Sequence, residues 1–415
     1  MNHIKMNKTR IPILHLTLCS LALALSAFLL GAAQVNAQCT ELASGLLTPS
    51  GTALTNQGNL LVSETGVLPN PPINFGRISI IDPVSGHRRT LLDGLPSAMA
   101  DVPEPSGPSG IFMRGRTLYV AIGVGDVGRP GPFPGTVMPN PLGASSPIFS
   151  SILAIHFSAA MERTTQGFTL TAAQQQALAN GETVTFSNGG RDKMTVRMVA
   201  DFPNFVPFPL PTFAGNIQVS NPFHLVAVED NLYVTDGGRN RVWQVDLLTG
   251  AVSTLVTFPD IPNPLFGIVP AGGPFLQAVP TGIAYANGRL YVTLFRGVPF
   301  PPNTSTVEEI DPLSGSDTPF ITGLKTAIDV IPVEENGGTN YLVLQHASLG
   351  PFFGSPGLVL RFTNPAGPPA VLANCLTRPV SMARDPKTGT LYISELAGRV
   401  VRVLAPALHS NAEGF

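Results

Sequence analysis

The sequence predicts an all-β protein, a six-bladed β-propeller, on three observations. Glycine and proline, 42 and 41 of the 415 residues, fill one position in five, which breaks helices and favours short strands joined by turns. One strand motif recurs six times among the same neighbours. The sixth repeat lacks an outer strand, and the start of the mature chain can supply it.

Residues 1–37 stand apart. Lys5, Lys8 and Arg10 precede an apolar run from Ile11 to Leu30, and Val35-Asn36-Ala37 offers small residues for cleavage. This is the layout of a secretory signal peptide and implies a periplasmic or secreted protein. The run is also about long enough to cross a bilayer, so an uncleaved anchor is the competing reading. Cys39 follows Gln38, where a lipid attachment site wants a small residue. Without the leader, 21 of the 24 basic residues face 26 acidic ones, so no basic stripe for nucleic acid exists. Cys39 and Cys375 remain, an even pair that suggests a disulfide in an exported chain; two free thiols are the alternative.

The repeat is read from its second strand: Asn59–Glu64, Thr117–Ile122, Asn231–Asp236, Arg289–Leu294, Asn340–Gln345 and Thr390–Glu395. Before each copy runs a short strand, opened in five of the six by a proline step (at 49, 108, 222, 280 and 379), with TAIDVI at 326 as the variant. After each come a third strand and, in five repeats, a fourth. Period-two alternation with Asp-Pro and Thr-Gly turns marks these units as antiparallel meanders. One four-stranded sheet cannot bury both faces, whereas six packed radially can.

The sixth unit ends near Leu404, and CTELASGL at 39–46 resembles the outer-strand sequence around Cys375, so the two termini are expected to share the last blade. A Cys39–Cys375 bridge would lock adjacent outer strands and stabilise the ring by constraining the unfolded chain. The propeller is thus placed over 38–405, with a loose tail over 406–415. Residues 158–192 read as an insertion in blade 2, with a helix from Thr171 to Asn180 stopped by Gly181. A degenerate seventh blade is the competing account of that segment.

At this point the residues resemble a known family. SNPFHLVAVEDNLYVTDGGRNRVWQVD (220–246), VPTGIAYANGRLYVTLFRGVPFPPN (279–303) and GLPSAMADVPEPSGPSGIF (94–112) are similar to the ScyD/ScyE family, secreted NHL-like propellers named for scytonemin gene clusters. The resemblance implies export, six blades and, for some members, a part in periplasmic assembly of an indolic-phenolic pigment. Leu294 stands where the family pattern carries an acid.

Antiparallel order puts the ends of the second strands and the starts of the inner strands at one mouth of the ring. The loops there are long and rich in phenylalanine, including Phe133, Phe149, Phe295 and Phe352. Such a rim suits a small apolar or aromatic molecule. Glu64, Asp236 and Glu395 end second strands at that mouth and are the candidate catalytic and metal residues. Three carboxylates around one axis could hold Ca²⁺ or raise one another's pKa for general-base work. Their bland alternative is to cap their own turns or pair with arginines such as Arg239 or Arg399. His224, Arg239, Asp329 and His346 join Phe295 and Phe352 as candidate ligand-binding residues. Analogy with related propellers suggests strictosidine-synthase-like condensation or lactonase-type hydrolysis at a channel carboxylate. The other class of function is a non-catalytic scaffold for a protein or envelope polysaccharide. No nucleophile elbow, phosphate loop or dinucleotide fingerprint occurs.

Overall fold

A computed structural model describes residues 39–66, 74–101, 104–189, 193–335 and 337–404. The expected leader over 1–37 and tail over 406–415 lie outside these. Strands dominate, and they form six blades, each an antiparallel meander running from inner to outer strand. Blade 1 comprises Pro49–Leu54, Leu60–Glu64, Gly76–Ile81 and Arg88–Leu95; blade 2, Pro108–Arg114, Thr117–Ile122, Ser151–Phe157 and Lys193–Asp201. Blade 3 comprises Pro222–Val228, Asn231–Asp236, Arg241–Asp246 and Val252–Thr257; blade 4, Pro280–Ala286, Arg289–Leu294, Ser305–Ile310 and Asp317–Leu324. Blade 5 comprises Ala327–Glu335, Gly338–Gln345, Gly357–Phe362 and Ala370–Leu376. In blade 6, Pro379–Arg384, Leu391–Glu395 and Arg399–Val403 are completed by Cys39–Ser44, which pairs Cys39 with Val403 and Ser44 with Arg399.

Each inner strand touches the inner strand of the next blade, and that of blade 6 touches that of blade 1, so the ring closes. The buried apolar side chains fall into six clusters, one at each blade interface. Alternation along each strand therefore serves two interfaces at once, one per face. The Cys39–Cys375 disulfide ties the outer strands of blades 6 and 5, with Cα atoms 6.5 Å apart.

Two repeated devices hold the inner ring. First, the inner strand of every blade slips register at the same place, between Pro49 and Thr52 in blade 1 and at its equivalents elsewhere. Such a bulge frees a backbone N–H that must find a partner. A hydroxyl on the second strand takes it: Gly51 N donates to Ser63 Oγ (2.7 Å), His224 N to Thr235 Oγ1 (3.0 Å) and Gly282 N to Thr293 Oγ1 (2.7 Å). Hydroxyls of this set then donate onward to the next blade's inner strand, Ser63 to Ser109 O, Thr235 to Thr281 O (2.5 Å) and Ser394 to Ser50 O (2.9 Å). The glycines of the PSG and PTG openings make this reach possible, because a Cβ on Gly51, Gly110 or Gly282 would overlap the next blade's backbone at Ser109, Phe223 or Asp329.

The second device turns the chain into four of the six inner strands. Thr48, Val279, Thr326 and Arg378, each just before an inner strand, adopt left-handed φ values of 52°, 51°, 44° and 48°, a conformation costing on the order of 1 kcal/mol for such residues. Side chains at the ends of the second strands brace three of these corners, accepting the N–H of the residue before: Leu47 to Glu64 (2.6 Å), Lys325 to Gln345 (2.9 Å) and Thr377 to Glu395 (2.6 Å).

Between the third and outer strands of blade 2 lie helix Ala159–Thr164, strand Phe168–Thr169, helix Ala172–Ala179 and strand Val184–Ser187. Thr171 caps the second helix in a capping box with Gln174, as S/T-x-x-Q spacing allows. Phe168–Thr169 pairs in parallel with the outer strand of blade 1, and Val184–Ser187 pairs with the outer strand of blade 2. Two sheet edges are thereby covered.

Candidate functional site

One face of the ring carries a collar. Four two-stranded ribbons stand there: Ala98–Met99 with Pro105–Ser106, Gly128–Pro130 with Val137–Pro139, Phe205–Pro207 with Ile217–Val219, and Ile261–Pro262 with Phe275–Leu276. Hydrogen bonds join neighbours around it, from Gly125 N to Ser106 Oγ (2.9 Å), Val137 N to Asn216 Oδ1 (2.8 Å) and Phe352 N to Pro299 O (2.7 Å). Most exposed large apolar side chains sit on this face, among them Phe133, Phe208, Phe266, Phe275, Leu349 and Phe352. Phe149, expected on the rim, is instead buried in the core beneath Gly125.

The three carboxylates expected to face the channel are fully buried and turned into their own blades. Glu64 accepts from Leu47 N and from Ser79 Oγ (2.5 Å), with Arg88 3.7 Å away. Asp236 accepts from Asn221 N (2.7 Å), Gly238 N (3.1 Å), Arg239 N (3.1 Å) and Trp243 Nε1 (2.9 Å). Burial pushes its pKa up, and the Trp243 and backbone N–H bonds oppose that rise. Glu395 accepts from Thr377 N and pairs with Arg399. Glu64, Asp236 and Glu395 thus occupy equivalent positions in blades 1, 3 and 6, each bound within its own blade. Among the described residues no group of three or more His, Cys, Asp or Glu is disposed to hold a metal ion. The expected convergence on a shared cation therefore gives way to corner bracing, because the end of a second strand lies beside its own lead-in loop.

His224 and Asp329 do meet, near the axis. His224 Nδ1 lies 3.9 Å from Asp329 Oδ1, whose carboxylate also accepts Val330 N and Met382 N, each at 2.9 Å. Burial raises the Asp329 pKa, and nearby His224 lowers it. With Ser50, Gly110, Ile328 and Ser381 they line an axial space that admits no water-sized sphere, so the channel is closed at this level. Arg239 is also buried; its guanidinium lies 5.9 Å from the Trp243 ring, and Nε and Nη1 have no hydrogen-bond partner among the described residues.

The concave site lies between blades 4 and 5. A groove of about 310 Å³ runs down from the collar, lined on one wall by Thr322–Leu324 and on the other by Leu358, Leu360 and Phe362. At its collar end stand Lys325, Gln345 and Ser348. That volume is at the small end of the range for ligand pockets. Lys325 Nζ donates to Phe352 O (2.6 Å), and burial lowers the amine's pKa to about 8.

Against this end packs a cluster of rings. Phe300 stacks on Phe353 (4.5 Å between centroids), and Phe295 meets Phe300 (5.5 Å) and His346 (5.7 Å) edge-on. The guanidinium of Arg378 lies 5.1 Å from the centre of Phe353. His346 shares a 2.9 Å hydrogen bond from Nδ1 to Pro379 O; since a carbonyl only accepts, Nδ1 carries the proton and Nε2 is the basic nitrogen. Burial first, then Arg378 and Lys325, bring its pKa down to about 4. The structure thus brings His346, Phe295 and Phe352 to one place, His224 and Asp329 to another, and Arg239 to a third. Lys325 was not singled out from sequence. The signal was a lysine in GLKTAID, between an outer strand closing on Leu324 and the next inner strand.

A six-bladed propeller with a side groove under a collar is the class this geometry defines. No family model matches the chain, and no curated protein matches it in sequence. Solved β-propeller structures are similar to it: a streptogramin B lyase (14% identity, 90% of this chain and 99% of that one, TM-score 0.46), a gluconolactonase from Xanthomonas campestris (11%, 90% and 91%, 0.48) and the PQQ-bound aldose sugar dehydrogenase of Streptomyces coelicolor (13%, 89% and 98%, 0.47). Likeness at this level bears on neither substrate nor chemistry.

Proposed function

We propose that this chain is an exported propeller that binds a small apolar or aromatic molecule in the groove between blades 4 and 5, under the ring cluster of the collar. The observation that carries the reading is the groove itself: Leu324, Leu358, Leu360 and Phe362 offer apolar contact along walls that also carry polar groups, and Lys325, Gln345 and Ser348 stand at one end, where they can orient a ligand. The Cys39–Cys375 disulfide favours an oxidising compartment, and the signal-peptide layout supplies the route. Among the described residues no helix is long and apolar enough to cross a membrane. Membership of the ScyD/ScyE family, and with it a part in pigment or secondary-metabolite assembly, rests on the sequence resemblance. Ligand-observed NMR with 2-naphthalenemethanol tests the reading. Binding lost in Ala366→Trp, which fills the groove from an exposed turn, supports it; binding unchanged in that variant overturns it.

The exposed phenylalanines of the collar favour a second reading, a docking scaffold, because large apolar patches on a monomer mark interaction surfaces. Replacing Phe133, Phe208 and Phe266 together by serine would abolish capture of a partner on that reading and leave groove binding intact.

A further inference from the structure

We propose that the ligand of this groove is an aromatic acid, its carboxylate seated on the Lys325 ammonium and its ring lying along Leu358, Leu360 and Phe362. This rests on the groove reading above and adds the charge of the ligand. Among the described residues that line the groove, Lys325 is the one charged side chain. Lys325 is 3% exposed, and a buried ammonium pays a desolvation penalty unless an anion joins it. Among the described residues its acceptor is a neutral carbonyl, Phe352 O, which leaves two N–H bonds for another acceptor.

The surrounding field has the same sign. The charges that act on neighbouring His346 are those of Arg378 and Lys325, and both are cationic. Arg378 is exposed, with its guanidinium over the Phe353 ring. Gln345, which in blades 1, 3 and 6 is replaced by Glu64, Asp236 and Glu395, keeps the corner brace here without adding a negative charge beside the lysine. Asn303 and Ser348 complete the polar end with neutral groups. A neutral ligand would leave the amine in the state burial imposes, whereas a carboxylate would restore its proton. Binding near pH 8.5 is therefore linked to uptake of about half a proton or more.

Titration calorimetry on the purified protein with 2-naphthoate and 2-naphthalenemethanol, in two buffers of different ionisation enthalpy, tests this. The expected result is binding at least tenfold tighter for naphthoate, with proton uptake for the acid alone. Lys325→Met should abolish the preference, weakening naphthoate at least tenfold more than the alcohol. If that variant does not fold, the proton uptake of the unaltered protein decides. Equal affinity for the two probes, or no proton uptake, overturns the inference while the groove reading stands; failure of both probes to bind overturns both.

Discussion

Asp236 shows how one residue type can carry either of two meanings. Its burial and raised pKa are the marks of a catalytic acid, yet four N–H donors occupy its oxygens. Asp236→Asn should therefore destabilise the fold by about 1–3 kcal/mol, since the new amide would point N–H at Trp243 Nε1–H or at the backbone donors. Denaturant unfolding reads the loss, and Ca²⁺ or EDTA should shift the midpoint of neither protein; a Ca²⁺-dependent shift lost in the variant would restore the metal reading. His346 offers a second test, with pH as the variable. Its folded pKa is depressed to about 4 from an unfolded value near 6.5, so the unfolded chain takes up the proton first as pH falls. The stability tied to the neutral ring is complete above pH 6.5 and is lost as pH falls through the folded pKa, by roughly 3 kcal/mol in all. The difference in stability between the protein and His346→Gln, followed from pH 7 to pH 4, should change by that amount, and a flat difference would show that the ring titrates freely.

Among the elements, the insertion of blade 2 is fastened at one buried acid. Glu162 accepts from Thr55 Oγ1 (2.6 Å), Asn59 Nδ2 (2.9 Å) and Arg116 Nη1 (2.8 Å), linking its helix to blades 1 and 2. Removing the carboxylate leaves Arg116, whose Nη2 has no hydrogen-bond partner among the described residues, without its counter-charge. Glu162→Ala should cost about 2–3 kcal/mol and speed amide exchange in Phe168–Thr169 before the rest of blade 1, which hydrogen-exchange mass spectrometry would resolve. The second helix of this insertion was legible because Thr171 and Gln174 form a local signal. The first helix and the parallel strand Phe168–Thr169 were not, since most of their partners lie in blades 1 and 2, far away in sequence. The blades themselves were legible down to the terminal strand, because a repeat states its own alternation six times. The site was less so. Loop positions pointed to His346, Phe295 and Phe352, none of which lines the groove, because a groove between two blades depends on which strand faces another, and no periodicity records that. The same repeat misdirected the carboxylates: their recurrence with Gln345 at one register signals bracing of a corner rather than chemistry.

At the scale of the whole molecule, everything depends on how the ring is shut. Five blades are continuous in sequence, and blade 6 borrows its outer strand from the other end of the chain through five paired positions. The pairing alone would be a weak point, because the last strand of a sheet frays first. The disulfide fixes Cys39 to Cys375 in blade 5, across 336 residues of sequence, and a cross-link spanning so long a loop removes more freedom from the unfolded chain than a short one. Cys39→Ser should lower stability by roughly 2–4 kcal/mol, with a thiol reductant giving the same loss in the unaltered protein and none in the variant. Opening should begin where the closure is made. Cys39–Ser44 and its partner Arg399–Val403 would lose exchange protection first, and the inner strands, bound hydroxyl to carbonyl around the axis, would lose it last. Uniform loss of protection in all six blades on reduction would mean that the ring unfolds as one cooperative unit whatever holds its seam.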